Sequence, residues 1–348
     1  MRVEPSWTRT RYDFWMRLVR DAVRSFRLLA RQGPLAFGRM LAHQSRRAVA
    51  LQFPRHEFLK SRPPVGDLLG MTTREEQSWL YSFARHDYRG VGEIADLGCW
   101  FGSATIPLAQ GLAENPAVGE RNGRIQAFDL FLWEAWMEDT LAGTSLAGRL
   151  APGSSFLPEF ERRIAPWRGL VTTHPGDLNR VGWPSGRPLA LVFNDAAKTL
   201  ELGNSIRRDF LPHLVPGQGY LVEQDFAHFF TPWVHLSHWR LRNYFAPVLH
   251  VPYSGSMVFR LEQAIPPDRL APLALEDFAD DEIDAAFERS LGLVERPMRA
   301  NVWAARAMLE LHRDRPAAAR RVLEAGRRRG FHGLDLDKVR ATLAATAA

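Results

Sequence analysis

Five aspartates stand at places where a chain can do chemistry: Asp96, Asp129, Asp177, Asp195 and Asp225. Each follows or closes a short apolar run, and each run is followed by a turn or a helix-like stretch. Carboxylates at such positions can accept hydrogen bonds from paired hydroxyls, hold a positive charge or take up a proton. Two of them have company. Lys198 lies three residues after Asp195, and His228 three after Asp225. Asp195, Asp225 and His228 are the candidate bases. Lys198 is a cation that would bind an anionic acceptor or lower a hydroxyl pKa. For each of these four the structural alternative is a hydrogen bond at a strand end.

The elements that must position them begin with Glu93-Ile94-Ala95-Asp96-Leu97-Gly98-Cys99-Trp100-Phe101-Gly102-Ser103. Ile94 and Leu97 belong to a short apolar run between Gly92 and Gly98, which predicts a strand covered on both faces. Gly98 and Gly102 predict a sharp turn and the close approach of a ligand. Ser103 is expected to cap a helix carrying Ile106, Leu108 and Ala109. Trp100 and Ser103 break the Gly-x-Gly-x-x-Gly dinucleotide fingerprint. Cys99, the single cysteine, excludes an internal disulfide and a cysteine zinc cluster, and reads as a small buried filler.

The same pattern repeats along the chain. Arg124 to Asp129 reads as a second strand, its acid placed for a ribose diol, with Leu130 and Phe131 beside an adenine pocket. Trp133, Trp136 and Met137 suggest a helical insert or lid, and Gly143 to Pro158 a mobile loop. Phe160 to Trp167 reads as a helix and Leu170 to His174 as the third strand, followed by Asp177 and Leu178. Leu189 to Phe193 is the fourth strand, Glu201 to His213 a helix, and Tyr220 to Phe226 the fifth strand. An aromatic helix containing Trp233, Trp239, Tyr244 and Phe245 precedes closing strands at Val248 to Val251 and Ser256 to Leu261.

The spacing Asp96-x-Gly98-x-x-x-Gly102 resembles motif I of class I S-adenosylmethionine (SAM)-dependent methyltransferases. Leu191 to Asp225, with Asp195, Asp209, Leu214-x-Pro216-Gly217 and Asp225, resembles small sugar and polysaccharide O-methyltransferases of the macrocin O-methyltransferase-like group. The resemblance spans about Glu93 to Leu261. It departs at Lys198, where His is usual, and at Gln218, which interrupts a Gly-Gly pair. It implies a Rossmann-like seven-stranded α/β sheet with helical N- and C-terminal extensions. It implies SAM as cofactor, held by Asp96, Gly98, Cys99, Gly102, Ser103, Asp129, Leu130, Phe131, Asp177, Leu178 and Asp195. The acceptor would be a small molecule or glycan. A Mg²⁺ site would draw on Asp195, Asp225 and the Gln224 carbonyl, a poor set for a hard cation. Two alternatives stand beside this: a degenerate SAM-binding scaffold in a glycan-assembly complex, and a nucleotide-sugar NAD(P) oxidoreductase.

The chain has 348 residues, a formal charge of +6, 46% hydrophobic and 24% charged residues, ordinary for a globular protein. Expected divisions are 1–70, a basic helical extension and linker; 71–265, the SAM-binding domain; and 266–348, a helical extension. In the first, arginines from Arg2 to Arg62 far outnumber Glu4, Asp13, Asp21 and Glu57. That favours an anionic partner, such as peripheral contact with an anionic membrane, or else an Arg-rich solvated face. Nothing resembles a reading helix or a base-stacking platform, so nucleic acid is not expected. No apolar run reaches the ~18 residues that span a bilayer. A cytoplasmic chain, at most peripheral to the inner membrane face, and a homo-oligomer complete the expectations. In the last division, Asp280 to Leu291, Val302 to His312 and Pro316 to Arg329 read as helices that dock on the core.

Overall fold

Strand β1 (Glu93–Leu97) forms where the sequence alternates short apolar residues between two glycines, and it is buried along its whole length. It pairs in parallel with β2 (Ile125–Asp129) on one side and β4 (Leu189–Asn194) on the other. β3 (Val171–Pro175) pairs with β2, and β5 (Tyr220–Glu223) with β4, both parallel. β6 (Phe245–His250) and β7 (Met257–Leu261) close the sheet, β7 antiparallel to β5 and to β6. The computed structural model therefore holds one seven-stranded mixed sheet in the order β3-β2-β1-β4-β5-β7-β6. It is the Rossmann-like α/β sheet predicted from the sequence. The structure describes residues 56–61, 63 and 68–346. The membrane-contact expectation rests on the N-terminal helices and lies outside them.

Strand order reverses between β1 and β4. The chain runs outward through β2 and β3, then returns to lay down β4 and β5. A crevice opens at the carboxyl ends of strands flanking such a reversal.

Period-two alternation splits the sheet residues between two helical layers. Ala95, Leu97, Val192, Leu221 and Phe259 share one core with α4 (Leu200–Asp209), α5 (Trp233–Arg240), α6 (Asp280–Leu293) and α7 (Arg299–His312). Phe287, Leu291, Val302, Ala305 and Leu309 belong to that core, so the C-terminal helices do dock on the sheet. Each buried Phe or Leu contributes about 2–3 kcal/mol relative to exposure. Helices α8 (Pro316–Arg328) and α9 (Leu334–Ala345) pack on α7 through Ala304, Leu323 and Leu336. No helix is long and apolar enough to cross a membrane, among the described residues.

Across the sheet lie α1 (Arg74–Ser82) and α2 (Thr105–Ala113). A capping box starts α1: Glu76 N donates to Thr73 Oγ1, and Thr73 N donates back to the Glu76 carboxylate. Gly111 lets α2 press against α1, since a Cβ there would stand 2.4 Å from the Tyr81 carbonyl oxygen.

Several boundaries differ from the sequence reading. α2 begins at Thr105 behind Ala104, with no side-chain cap, so Ser103 does not cap it. Pro158 opens α3 (Leu157–Ile164) earlier than Phe160. α5 stops at Arg240, and Phe245 begins β6 instead of extending the aromatic helix. β5 stops at Glu223, because Phe226 N turns back to the Glu223 carbonyl at 3.3 Å. Asp225 thus sits in the following turn. Helix α9 has no counterpart among the expected elements.

Among the described residues, 136–149 belong to one compact unit, and 68–135 with 150–346 to another. In the first group, Glu138–Leu141 forms a helical turn, and Glu138 Oε1 accepts from Gly148 N at 2.7 Å. Trp136 is exposed. Trp133, in the second group, is buried against Trp100, Phe101 and Phe156.

Candidate functional site

The parallel strands each deliver one aspartate to their carboxyl edge: Asp96 within β1, Asp129 at the end of β2, and Asp177, Asp195 and Asp225 just beyond β3, β4 and β5. All five sequence candidates therefore share one edge of the sheet. Their environments divide into two groups.

On the β1–β2 side the acids meet only neutral donors. Asp96 is wholly buried on the α2 face, where Thr105 Oγ1 donates to its Oδ2 at 2.5 Å. Its Oδ1 has no hydrogen-bond partner among the described residues. Burial, and then the neighbouring Asp195 and Asp129, raise its pKa to about 7 against the help of Thr105. Asp129 accepts from Trp100 N at Oδ2 (2.9 Å) and from Phe131 N at Oδ1 (2.8 Å). Burial raises its pKa, opposed by those amides. Each oxygen keeps a further lone pair for a ligand hydroxyl.

The turn between them has left-handed backbone at Gly98 (φ 84°), Trp100 (φ 47°) and Gly102 (φ 86°). The glycines serve the protein itself. A Cβ on Gly98 would lie 2.9 Å from the Asp195 carbonyl oxygen, so glycine here lets β1 and the end of β4 come together. On Gly102 it would meet the Ile106 side chain at 3.3 Å and Phe160 at 3.5 Å. Cys99 is buried and its thiol is pushed well up, chiefly by burial, which keeps it unreactive. Ser103 is buried, and its carbonyl accepts from Thr72 Oγ1 at 3.1 Å.

The remaining expected cofactor residues separate. Leu130 is 52% exposed at the sheet edge beside Asp129, an apolar surface open to a ring. Phe131 is buried against Phe156 and Phe160. Leu178 is in the core below Asp177, whose carboxylate accepts from Asn179 N at 2.9 Å. His174 is structural: it stacks on Phe128 and bonds Gln126 Oε1 at 2.6 Å, and burial lowers its pKa.

On the β4–β5 side a charge is built in. Lys198 Nζ donates to Asp195 Oδ1 at 2.6 Å and to Asp225 Oδ2. With its amide turned to donate, Gln224 lies 2.8 Å from Asp225 Oδ1 and 3.1 Å from Asp195 Oδ1. Burial raises the Asp195 pKa to about 6; Lys198 pulls it down and Asp225 pushes it up. Burial works against the Lys198 charge, but the two carboxylates outweigh it and hold its pKa above the ordinary lysine value. Lys198 therefore stays protonated. His228 shares the turn, its N–H on the Asp225 carbonyl at 3.1 Å and its ring against Phe230 and Phe229. Burial lowers its pKa, and its Nδ1 has no partner among the described residues.

A buried scaffold holds this half in place. Asn194 Nδ2 donates to Glu223 Oε2 at 2.6 Å, and His238 Nε2 lies 3.2 Å from Glu223 Oε1. Trp233 Nε1 donates to the Ala197 carbonyl at 3.0 Å. A cavity of about 20 Å³ beneath, between α4 and α5 and lined in part by Asn194, Ala197 and Glu223, has room for roughly one water.

Three contributors escape sequence reasoning. Thr105 holds Asp96. Glu76 is buried, accepts from Ser256 Oγ and has its pKa raised to about 7, first by burial. Its place in the first turn of a helix is legible from its spacing to Thr73; its tie to Ser256, just before β7, is not. Phe230 lies with its ring centre 5.5 Å from Lys198 Nζ.

The two implied ligands fare differently. A cationic nucleoside fits the β1–β2 side, where a buried acid is orphaned and unbalanced. Mg²⁺ does not fit Asp195 and Asp225. An ammonium already occupies the space between them, and the Gln224 amide faces them with its nitrogen. Among the described residues no group of three or more His, Cys, Asp or Glu could hold a metal.

No family model matches the chain, and no curated protein does. Similar solved structures include the calicheamicin methyltransferase CalS11, 16% identical, covering 63% of this chain and 91% of that one, TM-score 0.41. Others are an rRNA methylase from Streptococcus thermophilus (11% identical, 56% and 100% covered, TM-score 0.35) and the mitomycin 7-O-methyltransferase MmcR (12%, 71% and 67%, TM-score 0.30).

Proposed function

We propose that the chain is a SAM-dependent methyltransferase acting on a hydroxyl, with a sugar or glycan as acceptor. One observation carries the reading: five parallel strands each bring an aspartate to the edge where strand order reverses, and the two nearest the glycine turn have no cation of their own. A ligand with a positive charge and a vicinal diol answers both needs. The acceptor class rests on the resemblance of Leu191 to Asp225 to sugar O-methyltransferases.

SAM would supply a methyl group on a positively charged sulfur. Asp129 would accept from the ribose diol while the Trp100 and Phe131 amides keep its carboxylate aimed. Asp96, held by Thr105, would face the added positive charge and give up its proton beside it. Leu130 would lie against the base, and Asp177 near its amino group. Across the edge, Lys198 and the Asp195–Asp225 pair would hold the acceptor hydroxyl toward that methyl group. The hydroxyl proton goes to a carboxylate of the Asp195–Asp225 pair. With a pKa of about 6, Asp195 is mostly ionised at neutral pH yet still basic. His228, neutral there, is the other acceptor for that proton. Lys198, always protonated, cannot be the base.

The test is a melting curve of the full chain with SAM and, separately, with NAD⁺. SAM at about 100 times its Kd should stabilise by ~2.7 kcal/mol and raise the melting temperature, with no shift from NAD⁺. Labelled methyl from SAM should then appear on a sugar hydroxyl. A shift from NAD⁺ and none from SAM would replace this reading with the oxidoreductase.

A further inference from the structure

The Asp195–Lys198–Asp225 group has the outline of a cation site whose cation is covalently attached. An ammonium has three N–H donors. Two are engaged, by Asp195 Oδ1 and Asp225 Oδ2. Gln224 donates to both acids from a second direction, and Phe230 lies against the ammonium from a third. The third N–H is left for a ligand on the partly exposed side; the Lys198 side chain is 39% exposed, against 12% and 14% for the two aspartates. Without Lys198, two buried carboxylates would face each other across one gap. Like charges so placed take up a proton or a divalent cation.

We propose that Lys198 is the built-in cation of this site: clamped between Asp195 and Asp225, it takes the place of a divalent metal and offers its free N–H to the acceptor oxygen, so that the site works without a metal ion. The acceptor half of this statement rests on the methyl-transfer reading. The metal half does not, and it is the half tested.

The experiment follows the free Mn²⁺ signal by electron paramagnetic resonance on titration into the full chain. The wild type should leave the signal of millimolar Mn²⁺ unchanged. Lys198→Met should take up one Mn²⁺ per chain, about tenfold or more tighter than wild type, once the two acids lose their counter-charge. Adding Asp225→Asn to Lys198→Met should abolish the uptake. Lys198→Arg, which restores a cation, should again exclude Mn²⁺. Two results would overturn the proposal. One is stoichiometric Mn²⁺ in the wild type that Asp225→Asn removes. The other is a folded Lys198→Met, judged by circular dichroism, that takes up none. Should Lys198→Met fail to fold, Lys198→Gln is titrated in its place, with the same two outcomes deciding. Loss of SAM binding would bear on the function and leave these outcomes untouched.

Discussion

The two halves of the sheet edge solve the same electrostatic problem in opposite ways. At β1 and β2 the carboxylates of Asp96 and Asp129 are held by a hydroxyl and two backbone amides, all neutral. At β4 and β5 the carboxylates of Asp195 and Asp225 are held by an ammonium. The first half keeps its acids protonation-prone, with Asp96 raised to about 7. The second keeps its cation permanently charged. On the proposed reading, the positive charge comes with the cofactor on one side and is supplied by the chain on the other. This suits an edge where a cationic cofactor meets a neutral or anionic acceptor.

The contrast breaks first at Asp129. Asp129→Ala removes the acceptor for a diol and strands two backbone amides, so SAM should bind on the order of 100-fold more weakly, about 3 kcal/mol, by calorimetry. Lys198→Met should leave SAM affinity within a few-fold, since Lys198 belongs to the other half. Equal losses in the two variants would erase the distinction.

The glycine turn joins the halves and sharpens the comparison. Gly98→Ala must place a Cβ 2.9 Å from the Asp195 carbonyl at φ 84°. It should cost about 2–3 kcal/mol of stability and shift Asp195 as well. Gly102→Ala has a similar φ but meets side chains at 3.3–3.5 Å, so it should cost less, about 1–2 kcal/mol. Urea denaturation of both variants checks the order. The reverse order would mean that the turn does not lean on β4.

Much of the edge is legible in the amino-acid sequence. Parallel strands buried on both faces read as apolar runs, and an acid after such a run stands out, as Asp129, Asp195 and Asp225 do. What joins residues from different strands is not legible. Lys198 reads as an acceptor-binding cation, yet its clamp between Asp195 and Asp225 needs β4 beside β5. The Glu76–Ser256 bond needs α1 beside β7. Gly98 reads as making room for a ligand, whereas it makes room for the Asp195 backbone, because sequence shows that a glycine is needed and not what approaches it. β5 reads too long because Gln224-Asp225-Phe226 continues a strand-like pattern, whereas the return bonds from Phe226 to Glu223 and from His228 to Asp225 turn the chain there. The C-terminal helix Leu334–Ala345 escapes notice because its buried Leu336, Val339 and Leu343 sit among alanines and charges, without a broad apolar stripe.

The most direct test of the contrast is calorimetric titration of SAM at pH 6.5 in two buffers of different ionisation enthalpy. Without a ligand, Asp96, with a pKa of about 7, is mostly protonated at that pH. An incoming cation lowers that pKa, so binding should release a fraction of a proton and tighten as pH rises through about 7. Asp96→Asn should bind with much of that release gone. Binding in the wild type without proton release, or no SAM binding at all, would contradict the account.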